Sequence, residues 1–322
     1  KSGSACPGTA INQTGCGASF RVNWPLKFKP VSRTETPFYN RLYLDARGQG
    51  GPDSTIVWTS EIEWDSMREY VDQYNQNSRT MIGSSHLLVQ AVGQSLATHP
   101  EMNRRVVRRR VYEYDGCHVC LATRVPGSNE VNIVLVNDAD RKTTEDIAGL
   151  IWRSHLAYRR NDSPYLRDCE RIRRMPAWLF RFAYRTSQWL DRLIHLPVLG
   201  RMDRLRESPV LVNDFSHARF PVMRGYKPSR QPDESKPLSV TLGRPEERVV
   251  WKDGQPVPQR FAPLCVRADH RICDGFQLSQ FISTLVRLLN EPVRMQPQIF
   301  QLPSTLDPDA IDSDSNQQKQ SA

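Results

Sequence analysis

Near the C-terminal end, Asp269-His270-Arg271-Ile272-Cys273-Asp274-Gly275-Phe276 sets a histidine four residues before an aspartate. An imidazole has an ordinary pKa of about 6.5, so near neutrality it can take a proton and return it. A carboxylate one turn further on could hold the corner in which such a ring is positioned. A surface histidine beside a turn would show the same two residues, so the flanking elements have to decide. The run 261–266 before the motif is apolar. After it, Leu278, Phe281, Ile282, Leu285, Leu288 and Leu289 recur at the spacing of a core-facing helical stripe. Gly275 at the junction is expected to permit a tight strand-to-helix bend that a side chain would obstruct.

The elements that must position this motif can be followed along the chain. Residues 55–62 read as a strand and 64–74 as a helix with Met67, Tyr70, Val71 and Tyr74 on one face. Ser84 or Ser85 can cap a helix running to Thr98, which His99-Pro100 stops. The β-rich runs 106–114 and 117–124 flank Asp115-Gly116, a two-residue turn signal, and predict a hairpin. Residues 132–136 add a strand, and a helix begins at 143. The segment 153–206 is rich in arginine and aromatic residues. Its Trp178, Leu179, Phe182, Trp189, Leu190 and Leu193 predict a helical insertion packed on the main body. Strands follow at 210–212, 238–242 and 248–251, and Lys252-Asp253-Gly254-Gln255 turns the chain into the strand that carries His270. Residues 1–30 read as a flexible arm and 296–322 as a disordered polar tail, which leaves 31–295 as one domain. Mixed helices and hairpins predict an α+β fold, a mixed sheet with flanking helices, in preference to a Rossmann fold.

Other chemistry is sparse. Cys117-His118-Val119-Cys120 has no second pair at zinc spacing, so structural cysteines and no metal site are expected. The run Arg104-Arg105-Val106-Val107-Arg108-Arg109-Arg110, taken as one strand, divides its arginines between two faces and reads as a solvated sheet edge. No Gly-rich phosphate loop and no Gly-x-Ser-x-Gly elbow occurs. With 322 residues, 39% hydrophobic and 25% charged, the chain can bury a sizeable core. No apolar run approaches the roughly 20 residues of a membrane helix, so no membrane partner is expected. Residues 1–17 show nothing like a secretory signal. The net charge of +9 suits a phosphate-rich coenzyme as well as nucleic acid. Without a zinc-finger or aromatic RNP pattern, nucleic acid is not expected as a partner. Seven scattered cysteines point to a reducing compartment, the cytoplasm or, in a eukaryote, the mitochondrial matrix.

The residues also carry a resemblance. Asp269-His270-Arg271-Ile272-Cys273-Asp274-Gly275 resembles the Asp-His-Arg-x-x-Asp-Gly signature of the acyltransferase (E2) catalytic domain of 2-oxo acid dehydrogenase complexes. Cys273-Asp274-Gly275-Phe276 is similar to the version in the related chloramphenicol acetyltransferases. Leu242-Gly243-Arg244, Glu247-Arg248-Val249-Val250, Asp253-Gly254 and Pro263-Leu264 resemble the hairpin before that histidine. His99-Pro100-Glu101-Met102-Asn103, Val136-Asn137-Asp138-Ala139-Asp140 and Ile147-Ala148 resemble its earlier steps. The likeness covers about residues 55–150 and 207–292.

What it implies is a chloramphenicol acetyltransferase-like fold, a homotrimer or higher oligomer, and an active site at each subunit interface. Coenzyme A or its acyl thioester would be a substrate. His270 would be the general base, Asp274 an ion-paired carboxylate holding the corner, Gly275 the bend, and Arg271 part of the same corner. The oxyanion-stabilising Ser or Thr of the family falls on Asn213, with Ser216 the alternative after a small register shift. No lipoyl domain is seen, so a lipoyl group would come from another chain, and dehydrogenase-complex subunits are possible partners. The reaction expected is acyl transfer between coenzyme A and a thiol or hydroxyl acceptor, dihydrolipoamide-type by family. The alternative is a non-catalytic core or scaffold subunit of such a complex.

Overall fold

The computed structural model describes residues 28–32, 35–36, 40, 44, 54–107, 110–124, 131–160, 173–194, 208–219, 221–222, 224–225 and 236–295. Its spine is a long strand, β10 (Gln255–Asp269). Every residue from Ala262 to Ala268 is buried, the uninterrupted pattern of a strand covered on both faces. Arg267 is the polar exception in that run, and its guanidinium donates to the Lys236 carbonyl at 2.6 Å. β10 pairs antiparallel with β2 (Thr55–Glu63) on one side and β8 (Leu238–Leu242) on the other. β7 (Val210–Asp214), β5 (Val119–Arg124) and β6 (Val131–Val136) continue the mixed sheet in the order β2-β10-β8-β7-β5-β6. The first half of β10 pairs with β9 (Glu246–Lys252) across a two-residue turn, where Asp253 and Gly254 both take positive φ.

Helices α1 (Trp64–Asn77), α2 (Ser84–Thr98), α3 (Thr144–Arg159) and α5 (Gly275–Asn290) flank this sheet. All six stripe residues of α5, Leu278 through Leu289, are buried, and the helix packs on α2 and β2. Thr143 and Asp146 cap α3 reciprocally. The cap of α2 departs from expectation: Gly83 is the N-cap and Ser84 the first helical residue. The expected α+β architecture, a mixed sheet with flanking helices, is the one found.

Four expectations need correction. The hairpin at Asp115-Gly116 does not form. β3 (Arg104–Val107) instead pairs with β4 (Arg110–Tyr114), which places the arginine run across two strands of a separate three-stranded sheet. Beyond Gly116 the chain enters the main sheet, because Val119, Cys120 and Leu121 are all buried and need neighbours on both sides. Second, β1 (Phe28–Pro30) pairs with β4, so the arm is not unstructured to its end; residues 1–27 and 296–322 lie outside the described residues. Third, residues 153–159 are the last turns of α3 and not the start of an insertion. Fourth, the aromatic stripe of α4 (Ala177–Ile194) does not pack on the main body: Ser187 is buried, but Trp178, Phe182 and Trp189 are exposed.

Helix α2 passes close to the short 3-10 turn Ala139–Arg141. At Gly93 a β-carbon would stand 2.7 Å from the backbone of Ala139 and from the amide of Asp140. Backbone cannot give way as a flexible side chain can. Gly93→Ala is therefore expected to destabilise the fold by about 1–3 kcal/mol as an overpacking change, read from chemical denaturation. A variant as stable as the parent would show that the two backbones are not so close.

Candidate active site

The end of β10 is held from both sides. The Asp269 amide donates to the Pro237 carbonyl at 2.9 Å and the His270 amide to the Ser54 carbonyl at 2.6 Å. The side-chain amide of Asn40 donates to the His270 carbonyl at 3.1 Å. The chain then turns, with the Ile272 amide donating to the Asp269 carbonyl at 3.0 Å. That turn brings the Cys273 carbonyl within 2.9 Å of His270 Nδ1. A carbonyl oxygen only accepts, so Nδ1 carries the hydrogen. The lone pair of the neutral ring then lies on Nε2, the atom opposite the anchor. His270 is thus a half-buried imidazole in one tautomer, able to accept a proton at Nε2.

Two carboxylates bracket this turn, and the ion pair expected of Asp274 belongs to Asp269. Asp274 caps α5: it accepts from the Gln277 amide at 2.8 Å, and Gln277 Oε1 accepts from the Asp274 amide at 3.0 Å. Among the described residues Asp274 makes no ion pair. The ion pair of the corner joins Arg271 to Asp269, through Nε at 3.0 Å to both oxygens and Nη2 at 2.6 Å. Both side chains are shielded from water, which strengthens a bidentate contact of this kind. A residue pair two apart can meet here because Asp269 ends the strand and the turn folds Arg271 back over it.

Gly275 is not required for the bend either. It lies at the first position of α5 without a positive φ, and a β-carbon there would meet only Trp58 Cζ2 at an ordinary 3.4 Å. Residues 270–274 make the turn. Cys273, next to the histidine in space, is no nucleophile. It is fully buried, and burial, then Asp269, push its thiol well above the ordinary range. Any transfer at His270 would be direct, without an acyl-cysteine.

Asn213 and Ser216 stand elsewhere. Along β8, Leu238 pairs with Val210 and Ala268, whereas Leu242 pairs with Asp214 and Leu264. His270 therefore lies beyond the 238 end of these strands, whereas Asn213 pairs with Thr241 near the 242 end, in register with Cys265 on β10 and so about 17 Å from His270 along the strands at the usual rise. Within one chain the structure does not bring the histidine and the oxyanion candidates together. Asn213 lines a cleft of about 850 Å³ with Leu121, Thr123, Phe215 and Arg219. Ser216 is buried behind it. Its hydroxyl is 3.1 Å from that of Ser84, which donates to Asp214 at 2.6 Å and lies 3.1 Å from His217 Nε2. This cluster explains why Ser84 does not cap α2, and no spacing in the sequence announces it.

A second cleft, of about 650 Å³, shares Ser85, Leu121 and Thr123 with the first and adds His86, Trp152 and His155. Burial pushes the His86 imidazole down to about 4, with Asp214 opposing, and pushes His155 down as well. Cys117 and Cys120 are buried, and burial raises the Cys117 thiol to about 12. Among the described residues, no group of three His, Cys, Asp or Glu could hold a metal ion.

Residues 239–296 match the family model of the 2-oxoacid dehydrogenases acyltransferase (catalytic domain). No curated protein matches the chain. Among solved structures, the cubic core of the pyruvate dehydrogenase multienzyme complex is 14% identical, with a TM-score of 0.53 over 80% of this chain and 87% of that one. A probable dihydrolipoamide acetyltransferase from Listeria monocytogenes is 13% identical, with a TM-score of 0.54 over 82% and 94%. The dihydrolipoamide acetyltransferase of Azotobacter vinelandii, investigated for the catalytic roles of a serine, a histidine and an asparagine, is 12% identical, with a TM-score of 0.54 over 75% and 83%. At these identities the likeness speaks for the fold, which is that of the E2 acyltransferase cores.

Two outcomes follow from the geometry. Gly275→Ala is expected to fold and to melt no lower than the parent, since the backbone there suits any residue; a fall of many degrees would show that the corner needs glycine. His86 stays neutral in the folded protein where an unfolded histidine, near 6.5, would charge. The stability this supplies is fully present above pH 6.5 and is lost as pH falls through about 4. The melting temperature should decline across that window and His86→Gln should flatten the decline; an unchanged slope in the variant contradicts the assignment.

Proposed function

We propose that this protein is an acyltransferase that moves an acyl group between coenzyme A and a thiol or hydroxyl acceptor, of the dihydrolipoamide type. His270 is the general base, working at an interface between subunits. The observation that carries the reading is the anchored imidazole, Nδ1 held by the Cys273 carbonyl at 2.9 Å, inside the segment that matches an acyltransferase family.

The chemistry follows from that ring. A thiol with pKa near ~8.5 is mostly protonated at neutral pH, so its attack on a thioester needs a base. Nε2 takes the proton from the attacking thiol as its sulfur bonds to the thioester carbonyl carbon. The tetrahedral intermediate carries its negative charge on oxygen, where a fixed hydrogen-bond donor is worth most. Collapse breaks the bond to the departing sulfur, and the imidazolium returns the proton to it. Asn213, with its amide at a cleft wall, is the donor in this reading; Ser216 is already engaged with Ser84. Asp274 and the Arg271–Asp269 pair act through the corner they hold, and none of the three touches substrate. The Azotobacter vinelandii enzyme has its investigated asparagine four residues after its histidine, the spacing of His270 and Asp274 here.

Two features support a shared site. One is the distance along the sheet between His270 and Asn213, which a neighbouring subunit can close. The other is the β9–β10 hairpin, whose outer half extends past the point where β2 begins to pair, at Phe261. It carries Val249 and Trp251 at 68% and 75% exposure, apolar surface that a second subunit would cover. A trimer with coenzyme A entering at its interfaces accounts for both. A lipoyl acceptor would arrive on another chain. The non-catalytic reading is favoured by one observation, an asparagine where the family has Ser or Thr.

Complementation separates these possibilities. His270→Ala and Asn213→Ala alone should each lower transfer from acetyl-CoA to dihydrolipoamide by about a hundredfold or more. Co-expressed, they should form mixed oligomers with some intact interfaces and recover a measurable fraction of the activity. Activity in the parent without recovery in the mixture would refute the shared site. A parent that forms the oligomer but turns over no acyl-CoA would refute catalysis and leave the scaffold reading.

A further inference from the structure

Helix α4 carries a face that the acyl-transfer reading does not use. Trp178, Phe182, Trp189 and Leu193 stand at i, i+4, i+11 and i+15, one stripe along the helix. They are 70%, 66%, 56% and 44% exposed, so the stripe points away from the protein. On the opposite side Ser187 is buried, and Phe180 and Leu190 are half-buried. Arg181 and Arg185 follow Trp178 by three and seven residues and are exposed along the tryptophan edge. Neither is ion-paired among the described residues.

We propose that this face of α4 docks on an anionic lipid surface, lying in the plane of the headgroups. The helix is about 27 Å long at the usual rise, with its tryptophans about 16 Å apart. Indole rings favour the boundary between headgroup and acyl chain, where an apolar body and a polar N–H are both accommodated. Arginines beside that edge extend their stems along the apolar layer and reach lipid phosphates with their guanidiniums. The net charge of +9 adds long-range attraction of the same sign. Pairing with a second α4 would bury the tryptophans equally well. It would also bring Arg181 and Arg185 of two copies together, with no described acidic side chain exposed on that face to offset them. A phosphate-bearing surface fits both halves of the pattern. No helix among the described residues is long and apolar enough to cross a membrane. The proposed contact is peripheral.

The test is co-sedimentation of the full chain with vesicles of phosphatidylcholine alone and of phosphatidylcholine mixed with phosphatidylglycerol, at low and high salt. Binding to the mixed vesicles is expected, weakened by salt and by roughly fivefold for each of Arg181→Gln and Arg185→Gln. Trp178→Ala combined with Trp189→Ala should abolish it while circular dichroism and oligomer size stay those of the parent. No binding to either vesicle overturns the proposal. Equal binding to both, insensitive to the arginine changes, overturns it too. Loss of the oligomer in the tryptophan double variant, with no vesicle binding by the parent, assigns the face to contacts between copies.

Discussion

The last residues of β10 are hydrogen-bonded on both sides, and the chemistry proposed for this chain depends on that. A histidine on a free loop would have to give up backbone and rotamer freedom each time it acted, at about 1–2 kcal/mol per residue ordered. Here Pro237 and Ser54 receive the amides of Asp269 and His270, and Asn40 holds the His270 carbonyl. The turn that follows has one further consequence: it delivers the Cys273 carbonyl to the ring, which selects the tautomer. The Arg271–Asp269 pair and the Asp274–Gln277 cap brace the two ends of that turn. Removing either brace leaves His270 in the chain but without a defined direction for Nε2.

The same sheet that positions the histidine separates it from the groups it would need. Strands β7, β8 and β10 present His270 at one end and Asn213 at the other. On the proposed reading a single chain supplies the base, while the oxyanion donor Asn213 stands at the far end of the same strands. Function on that reading rests on assembly, and the exposed Val249 and Trp251 of the β9–β10 hairpin are surface that a second subunit would cover. Weakening the oligomer would then reduce activity with both half-sites chemically intact.

Much of this was legible from residues alone. The stripe of α5 is buried at every position named, β8 has the bounds its alternation suggests, and Asp253-Gly254 makes the turn its composition calls for. Local chemistry decided those features. Several of the failures are cases where a distant partner overrode a local signal. Asp115-Gly116 has the composition of a hairpin, yet the buried run Val119-Cys120-Leu121 needed β6 and β7 more than β4. Ser84 could have capped α2, but Asp214, 130 residues on, takes its hydroxyl. Asp274 and Asp269 are both near Arg271 in sequence, and only the fold of the turn tells which one pairs. Asn40, 230 residues before its partner carbonyl, carries no signal at all.

The central claim is that His270 is held as a base with its lone pair on Nε2. Histidine-selective 15N NMR of the full chain, with His270 identified by its loss in His270→Gln, reads the tautomer directly. The structure requires a protonated Nδ1 and an unprotonated Nε2 in the neutral ring. A neutral ring with hydrogen on Nε2 would mean that the Cys273 carbonyl does not hold it, and the proposed base would face the wrong way.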